Sequence, residues 1–171
     1  MTASRKEFFL FFLVFIILLL SYKVLAKHGT FIDDGLRKSE TAISVFFLQV
    51  FFEETEHQSI IRNNEEAAEE IYLNGKRTLI VINECDAFQI HLIFSVFILI
   101  IGGVYPKLIS LLLGNFVIFV SNIVRLIALA LIVHYNHDAF QFHHEYTFSL
   151  LLYLIVFVMW YFYLNEKKSV V

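Results

Sequence analysis

Among 171 residues there is one cysteine, Cys85, and one proline. A lone cysteine excludes an internal disulfide and any zinc or iron–sulfur site built from cysteines. Positive charge is short as well: 13 lysines and arginines stand against 16 aspartates and glutamates, for a formal net charge of −3. Nucleic-acid binding needs clustered surplus cations to meet phosphates, so it is not expected. Internal repeats, a glycine-rich phosphate loop and low-complexity tracts are missing too. What the chain has in excess is apolar surface. Hydrophobic residues make up 58% of it, twenty of them phenylalanines, against about 45–50% in a soluble domain. They are gathered into blocks rather than spread as an amphipathic period, so the expected solvent is lipid.

A hydrocarbon core of about 30 Å takes about 20 mostly apolar residues in a helix. Four runs approach that length: Phe8 to Ala26, Ala87 to Val104, Leu108 to His134 and Thr147 to Leu164. The expected fold is therefore an all-α polytopic membrane protein with about four transmembrane helices and a small outer (periplasmic) segment. A fifth apolar run, Thr41 to Phe52, would reach only about 18 Å as a helix and reads as interfacial. With the N-terminus inside, Arg5, Lys6, Lys107, Lys167 and Lys168 all fall in the cytoplasm, and the outer loop from Tyr135 to Tyr146 has no lysine or arginine. That obeys the positive-inside rule, whereas a fifth crossing would move Lys107 and the basic tail outside. The chain divides into an N-terminal transmembrane helix (1–26), an outer segment (27–84) and a three-helix membrane catalytic core (85–171). Arg5-Lys6 and Val24-Leu25-Ala26 also frame the first run like a signal peptide, although the run exceeds a typical h-region.

The outer segment is acidic through Glu53, Glu54, Glu56, Glu65, Glu66, Glu69 and Glu70, a pattern that reads as a solvated helix or loop. Near its end Asn74-Gly75 stands between β-prone flanks, which predicts a hairpin over 70–82. A helix from about Ser59 capped by Gly75 is the competing reading.

Polar residues inside apolar runs need individual explanation. Arg125 lies within the third run, about 26 Å along the helix from Leu108 and so in the outer leaflet. Asn122 and Asn115 precede it on roughly the same face. Cys85 sits where the outer segment meets the second run, flanked by Glu84 and Asp86, with Gln89 a turn further on. Those acids oppose thiolate formation, so a reactive Cys85 would need a cation nearby. His134, His137, His143 and His144 cluster around the loop between the third and fourth runs. Their spacing matches no known metal-ligand set, and neither a metal nor a cofactor is expected. One imidazole as general acid or base is the simpler reading. His144 starts a helix and is preferred, while His137-Asp138 and His143 remain open. With Cys85 and His144 at outer helix ends and Arg125 just below, a thiol, an imidazole and a guanidinium suffice for acyl transfer from a peptide bond.

Three segments in this order resemble the exosortase/archaeosortase family of membrane-embedded cysteine transpeptidases, above all its short forms. They are Glu84-Cys85-Asp86-Ala87, Ser121-Asn122-Ile-Val-Arg125 and Phe142-His143-His144-Glu145-Tyr-Thr-Phe148. The resemblance covers Val81 to the C-terminus. Where that family commonly has serine-glycine after the cysteine, this chain has Asp86-Ala87. The resemblance implies that Cys85, Arg125 and His144 are catalytic and that the enzyme lies in the cell inner membrane. It implies as substrate an exported protein with a C-terminal sorting signal, made of a recognition motif, a transmembrane helix and a basic cluster. The released acyl group would pass to a lipid or sugar acceptor or to water. From the residues, Asn122 is a candidate substrate-binding residue, and Gly102-Gly103 and Gly114 are candidate close-approach points for the substrate helix. Two other classes compete: a non-catalytic membrane scaffold or assembly factor with Arg125 as interhelical glue, and a small transporter component with Arg125 selecting anions.

Overall fold

The computed structural model describes residues 9, 12–14, 16–17, 31–61, 67–82, 87–101 and 106–169. The expected first transmembrane helix (1–26) falls almost wholly outside them; Phe9, Phe12, Leu13, Val14, Ile16 and Ile17 are helical. Gly102-Gly103 and Glu65-Glu66 also lie outside the described residues.

The first long element is α1, Phe31–Leu48. Its buried positions are Arg37, Glu40, Thr41, Ser44, Val45 and Leu48, steps of three and four that make one stripe along a helix. Polar side chains fill the first half of that stripe and apolar ones the second. On the other side Phe46, Phe47, Val50 and Phe51 are exposed, so α1 turns polar groups inward and aromatic ones outward. Successive bonds from Gln49, Val50, Phe51 and Phe52 amides back to Val45, Phe47 and Leu48 carbonyls close the helix end.

Three strands follow in the order β1 (Thr55–Ile61), β2 (Ala67–Leu73) and β3 (Lys76–Val81), all antiparallel. Asn74 (φ 52°) and Gly75 (φ 72°) form the β2–β3 turn, and both central residues in the left-handed region match the twist of flanking strands. The turn is tied to the chain before β1 by the Asn74 amide, which donates to the Glu54 carbonyl at 2.7 Å. One sheet face carries Ile71, Leu73, Leu79 and Val81 into a core with Val45, Leu48 and Phe52. Glu53, Glu54 and Glu56 are solvated, but Glu69 and Glu70 of the same acidic stretch are buried. Ser59 Oγ donates to Glu69 at 2.7 Å, while Arg77 Nη1 and Tyr72 Oη donate to Glu70 at 3.1 and 2.6 Å. The hydrogen bond to Glu70 holds the Tyr72 phenol above the usual tyrosine range.

Three further helices complete the fold: α2 (Phe88–Ile101), α3 (Pro106–Tyr135) and α4 (Phe148–Ser169). Ala87 caps α2 with its carbonyl, which accepts from the Ile90 and His91 amides at 2.9 and 3.0 Å. Short turns, His137–Ala139, Phe140–Phe142 and the π-helical turn His143–Thr147, connect α3 to α4. Leu108, Leu112, Phe116, Val120 and Val124 form an exposed apolar row along α3, as Leu150, Leu154, Phe157 and Tyr161 do along α4.

α3 is the spine of two cores. At its Tyr135 end Leu126, Leu129 and Ala130 join α1 and the sheet. Nearer Pro106, Ile118 joins Phe94, Phe97 and Ile98 of α2 and Leu152 and Val156 of α4. There Phe97 stacks on Trp160 at 4.1 Å. A side chain at Gly114 would overlap the Phe94 ring, so this glycine admits α2 and not an incoming substrate helix.

The expected all-α, four-span fold does not hold. The protein is mixed, helices with a three-stranded antiparallel sheet, and two described helical stretches are long and apolar enough to cross a bilayer: Leu108–Tyr135 and His137–Tyr163. The described part of α2 is 14 residues, about 21 Å, short of the roughly 30 Å of hydrocarbon. The apolar run at Thr41 to Phe52 is not a separate interfacial helix. It is the second half of α1 and ends at Leu48, because the polar residues from Phe31 on extend the helix backwards. Hydropathy alone hid this, since the buried side of α1 is the polar one.

Candidate functional site

Arg125 is 6% exposed and Asn122 fully buried, both on the face of α3 that meets α1. Asn122 Nδ2 donates to Glu40 Oε2 at 2.8 Å, and Arg125 Nη1 donates to Asn122 Oδ1 at 3.4 Å. The result is a carboxylate–amide–guanidinium chain joining two helices. The 82-residue separation of Glu40 and Asn122 recurs between Phe52 and His134, whose rings meet at 4.8 Å. This constant offset means that α1 and the residues just after it run in the same direction as α3, with Val45 and Leu48 of the buried stripe also meeting the sheet. One turn before Glu40, Arg37 is fully buried and pairs with Asp34 at 2.8 Å. Thr41 Oγ1 and Arg125 Nε are buried and have no hydrogen-bond partner among the described residues.

Charges gathered in an apolar interior are expensive and persist when paired and hydrogen-bonded. Among the described residues the Arg125 guanidinium is only partly satisfied: five donors, one long bond and an unpartnered Nε. Chemically, such a group can receive an oxygen bearing negative charge.

The other expected site residues fare differently. Cys85 lies outside the described residues, as do Glu84 and Asp86. The nearest described residues on either side are Ile82, packed against the core of α1 and the sheet, and Ala87, buried with α2, α3 and α4. Ala87 has φ 55°, a left-handed conformation that glycine adopts freely and alanine does not. His144 is half-buried in the π-helical turn, its ring stacked on Phe140 at 5.3 Å. Phe140 packs against the core that contains Leu126 and Leu129, the turns just beyond Arg125. Of the rival histidines, His137 is exposed, and His143 Nδ1 lies 3.2 Å from Thr147 Oγ1. Among the described residues, no three or more His, Cys, Asp or Glu side chains are grouped closely enough to hold a metal ion.

Asn115, expected on one face with Asn122 and Arg125, belongs to a separate network. His91 Nδ1 donates to its Oδ1 at 2.7 Å, and its Nδ2 donates to Ser95 Oγ at 3.1 Å and to the Leu111 carbonyl at 2.8 Å. Sequence reasoning missed Arg37, Glu40 and His91. The 37-40-41-44-45-48 spacing was a usable signal for the first two, had polar residues been allowed on a buried stripe.

No known protein family, curated protein or solved structure matches this chain.

Proposed function

We propose that the protein is a membrane-embedded cysteine transpeptidase or protease. Its substrates would be exported proteins with a C-terminal sorting signal, and its site would face the outside of the cell inner (plasma) membrane. The observation that carries this reading is Arg125: a buried guanidinium with an unpartnered Nε, in a helix long and apolar enough to span a bilayer. Insertion scales charge about 2.5–3.5 kcal/mol for an arginine at a helix centre, and Arg125, nearer the outer end, bears part of that cost. Open donors at that cost suit an oxyanion, whose charge develops only as the reaction proceeds.

In this reading His144 takes the Cys85 thiol proton, and the thiolate attacks the scissile carbonyl carbon. The carbonyl oxygen becomes an oxyanion held by Arg125. Collapse to a thioester breaks the C–N bond, and the leaving amine receives the proton from His144. Attack by a lipid or sugar acceptor, or by water, then releases the acyl group and restores the thiol. Asn122 orients Arg125 or a substrate carbonyl.

Three features support the assignment. Ala87 holds a glycine-like φ at the position where the resembled family commonly has glycine. His144 sits in a π-helical turn, a feature frequent at functional sites. The exposed apolar rows on α3 and α4, with the charges of α1 turned inward, suit a lipid solvent.

A scaffold reading is favoured by one observation, that Asn122 links Arg125 to Glu40 across two helices, but a scaffold has no use for Cys85. The deciding experiment reconstitutes purified protein in liposomes with a tagged exported protein carrying such a sorting signal. Loss of processing in Cys85→Ala, Arg125→Lys and His144→Ala is expected. Full processing by Cys85→Ala ends the cysteine-transpeptidase reading.

A further inference from the structure

We infer that Glu40 on α1 is a positioning residue for Arg125, acting through the Asn122 side-chain amide. The inference rests on the proposed reaction for its functional meaning, but its geometry stands alone. Glu40 and Asn122 are fully buried and Arg125 nearly so, and the 2.8 and 3.4 Å bonds run in sequence from carboxylate to amide to guanidinium.

An asparagine amide has two unlike ends, an oxygen that accepts and a nitrogen that donates. Arg125 has only donors, so it can be held by Asn122 only if the oxygen faces it. What fixes that choice is the group at the other end. Glu40 accepts from Nδ2 and thereby forbids the flipped amide, which would aim N–H groups at a guanidinium. The arrangement is analogous to a carboxylate that orients a metal-bound histidine through its far nitrogen, where loss of the outer partner commonly costs about 10–100-fold in activity. α1 is thus a wall of the site rather than a tether, which explains why its polar side faces inward.

The test uses ¹⁵N-arginine-labelled full-length protein in nanodiscs, with the Arg125 Nε–H resonance assigned by its loss in Arg125→Lys. Glu40→Leu and Asn122→Ala are expected to shift that resonance and to speed its solvent exchange about tenfold or more. Glu40→Gln keeps an acceptor oxygen and is expected to restore it. Ser44→Ala lies on the same stripe but removes only a bond to its own helix, at the Glu40 carbonyl, and should leave it unchanged. In the processing assay Glu40→Leu should lower kcat by about 10–100-fold with KM held, and Glu40→Gln should recover it. An unmoved resonance in Glu40→Leu overturns the inference, whatever Asn122→Ala does. So does a Ser44→Ala effect of equal size, which would signify general loosening of α1. A moved resonance with unchanged processing, in protein that Arg125→Lys inactivates, also overturns it. If Arg125→Lys processes normally, the role of Arg125 in the reaction is what fails, and the resonance alone decides. Should Glu40→Leu not assemble, Asn122→Ala leaves both charges in place and reads the same link.

Discussion

The two halves of α3 bury polar groups in different ways. Toward Pro106 it meets α2 through a neutral network, His91–Asn115–Ser95, inside a core of phenylalanine, leucine and isoleucine. Toward Tyr135 it meets α1 through formal charges, Glu40 and Arg125, with Arg37 and Asp34 one turn away. Neutral hydrogen bonds between helices hold a bundle together at modest cost, whereas buried charges must be supported by a dedicated partner set. One helix thus separates a half that buries neutral polar groups from a half that buries charge-bearing ones.

That contrast is sharpest in the response to losing one partner. Glu40→Leu leaves the Asn122 Nδ2 without its buried acceptor and loosens its hold on Arg125, and is expected to cost about 3 kcal/mol, read by thermal unfolding in nanodiscs. Next comes Gly114→Leu, which forces a side chain into the Phe94 ring and should cost about 1–3 kcal/mol, as overpacking does. Asn115→Leu removes neutral bonds, two of them interhelical and each worth about 0.6–2 kcal/mol in a bilayer, and one to its own helix at Leu111. If Asn115→Leu proves as costly as Glu40→Leu, the distinction between the two halves disappears.

Smaller effects lie at backbone positions on either side of the junction. Gly75→Ala strains the turn at φ 72° and should lose about 1 kcal/mol of stability. Ala87→Gly removes a strained alanine at φ 55° and should leave the protein at least as stable, even after the added freedom of the unfolded chain. A clear loss there would show that the Ala87 methyl is needed for packing. The smallest effect is spectroscopic. The bond to Glu70 raises the Tyr72 phenol above its ordinary range, so the interaction is intact below the usual tyrosine pKa and is lost as pH rises through the raised one. In an alkaline phenolate titration, Tyr72→Phe should remove a late-titrating component; disappearance of an early one would contradict this.

Much of the spine was legible from hydropathy. Leu108 to His134 falls inside α3, because a run dominated by leucine, isoleucine and valine leaves the backbone no better way to satisfy its hydrogen bonds. Asn74-Gly75 marked the turn between β2 and β3, since only residues tolerant of positive φ fit there. The third strand was not legible. β1 reads TEHQSII and is mostly exposed, so its pairing to β2 comes from neighbours rather than from an alternating pattern. α1 was misjudged for the opposite reason. Its aromatic residues drew attention to Thr41–Phe52, while the buried stripe starts with the polar residues Arg37, Glu40, Thr41 and Ser44 and reaches the core only at Val45 and Leu48. Arg125 and Asn122 could be singled out as polar residues in an apolar run. Their partner Glu40 could not, being 82 residues away from Asn122 in a segment whose composition looks solvated.

By itself, then, the sequence determined the two long apolar helical stretches, the position of the hairpin turn and the identity of the misplaced cation, because each follows from local composition and backbone sterics. Only the tertiary structure decided which face of α1 is inside, that Asn115 serves α2 while Asn122 serves α1, and which carboxylate meets Arg125 through that amide. Those outcomes depend on two helices that run in the same direction, and the distances between their side chains are set by packing rather than by any order of residues along the chain.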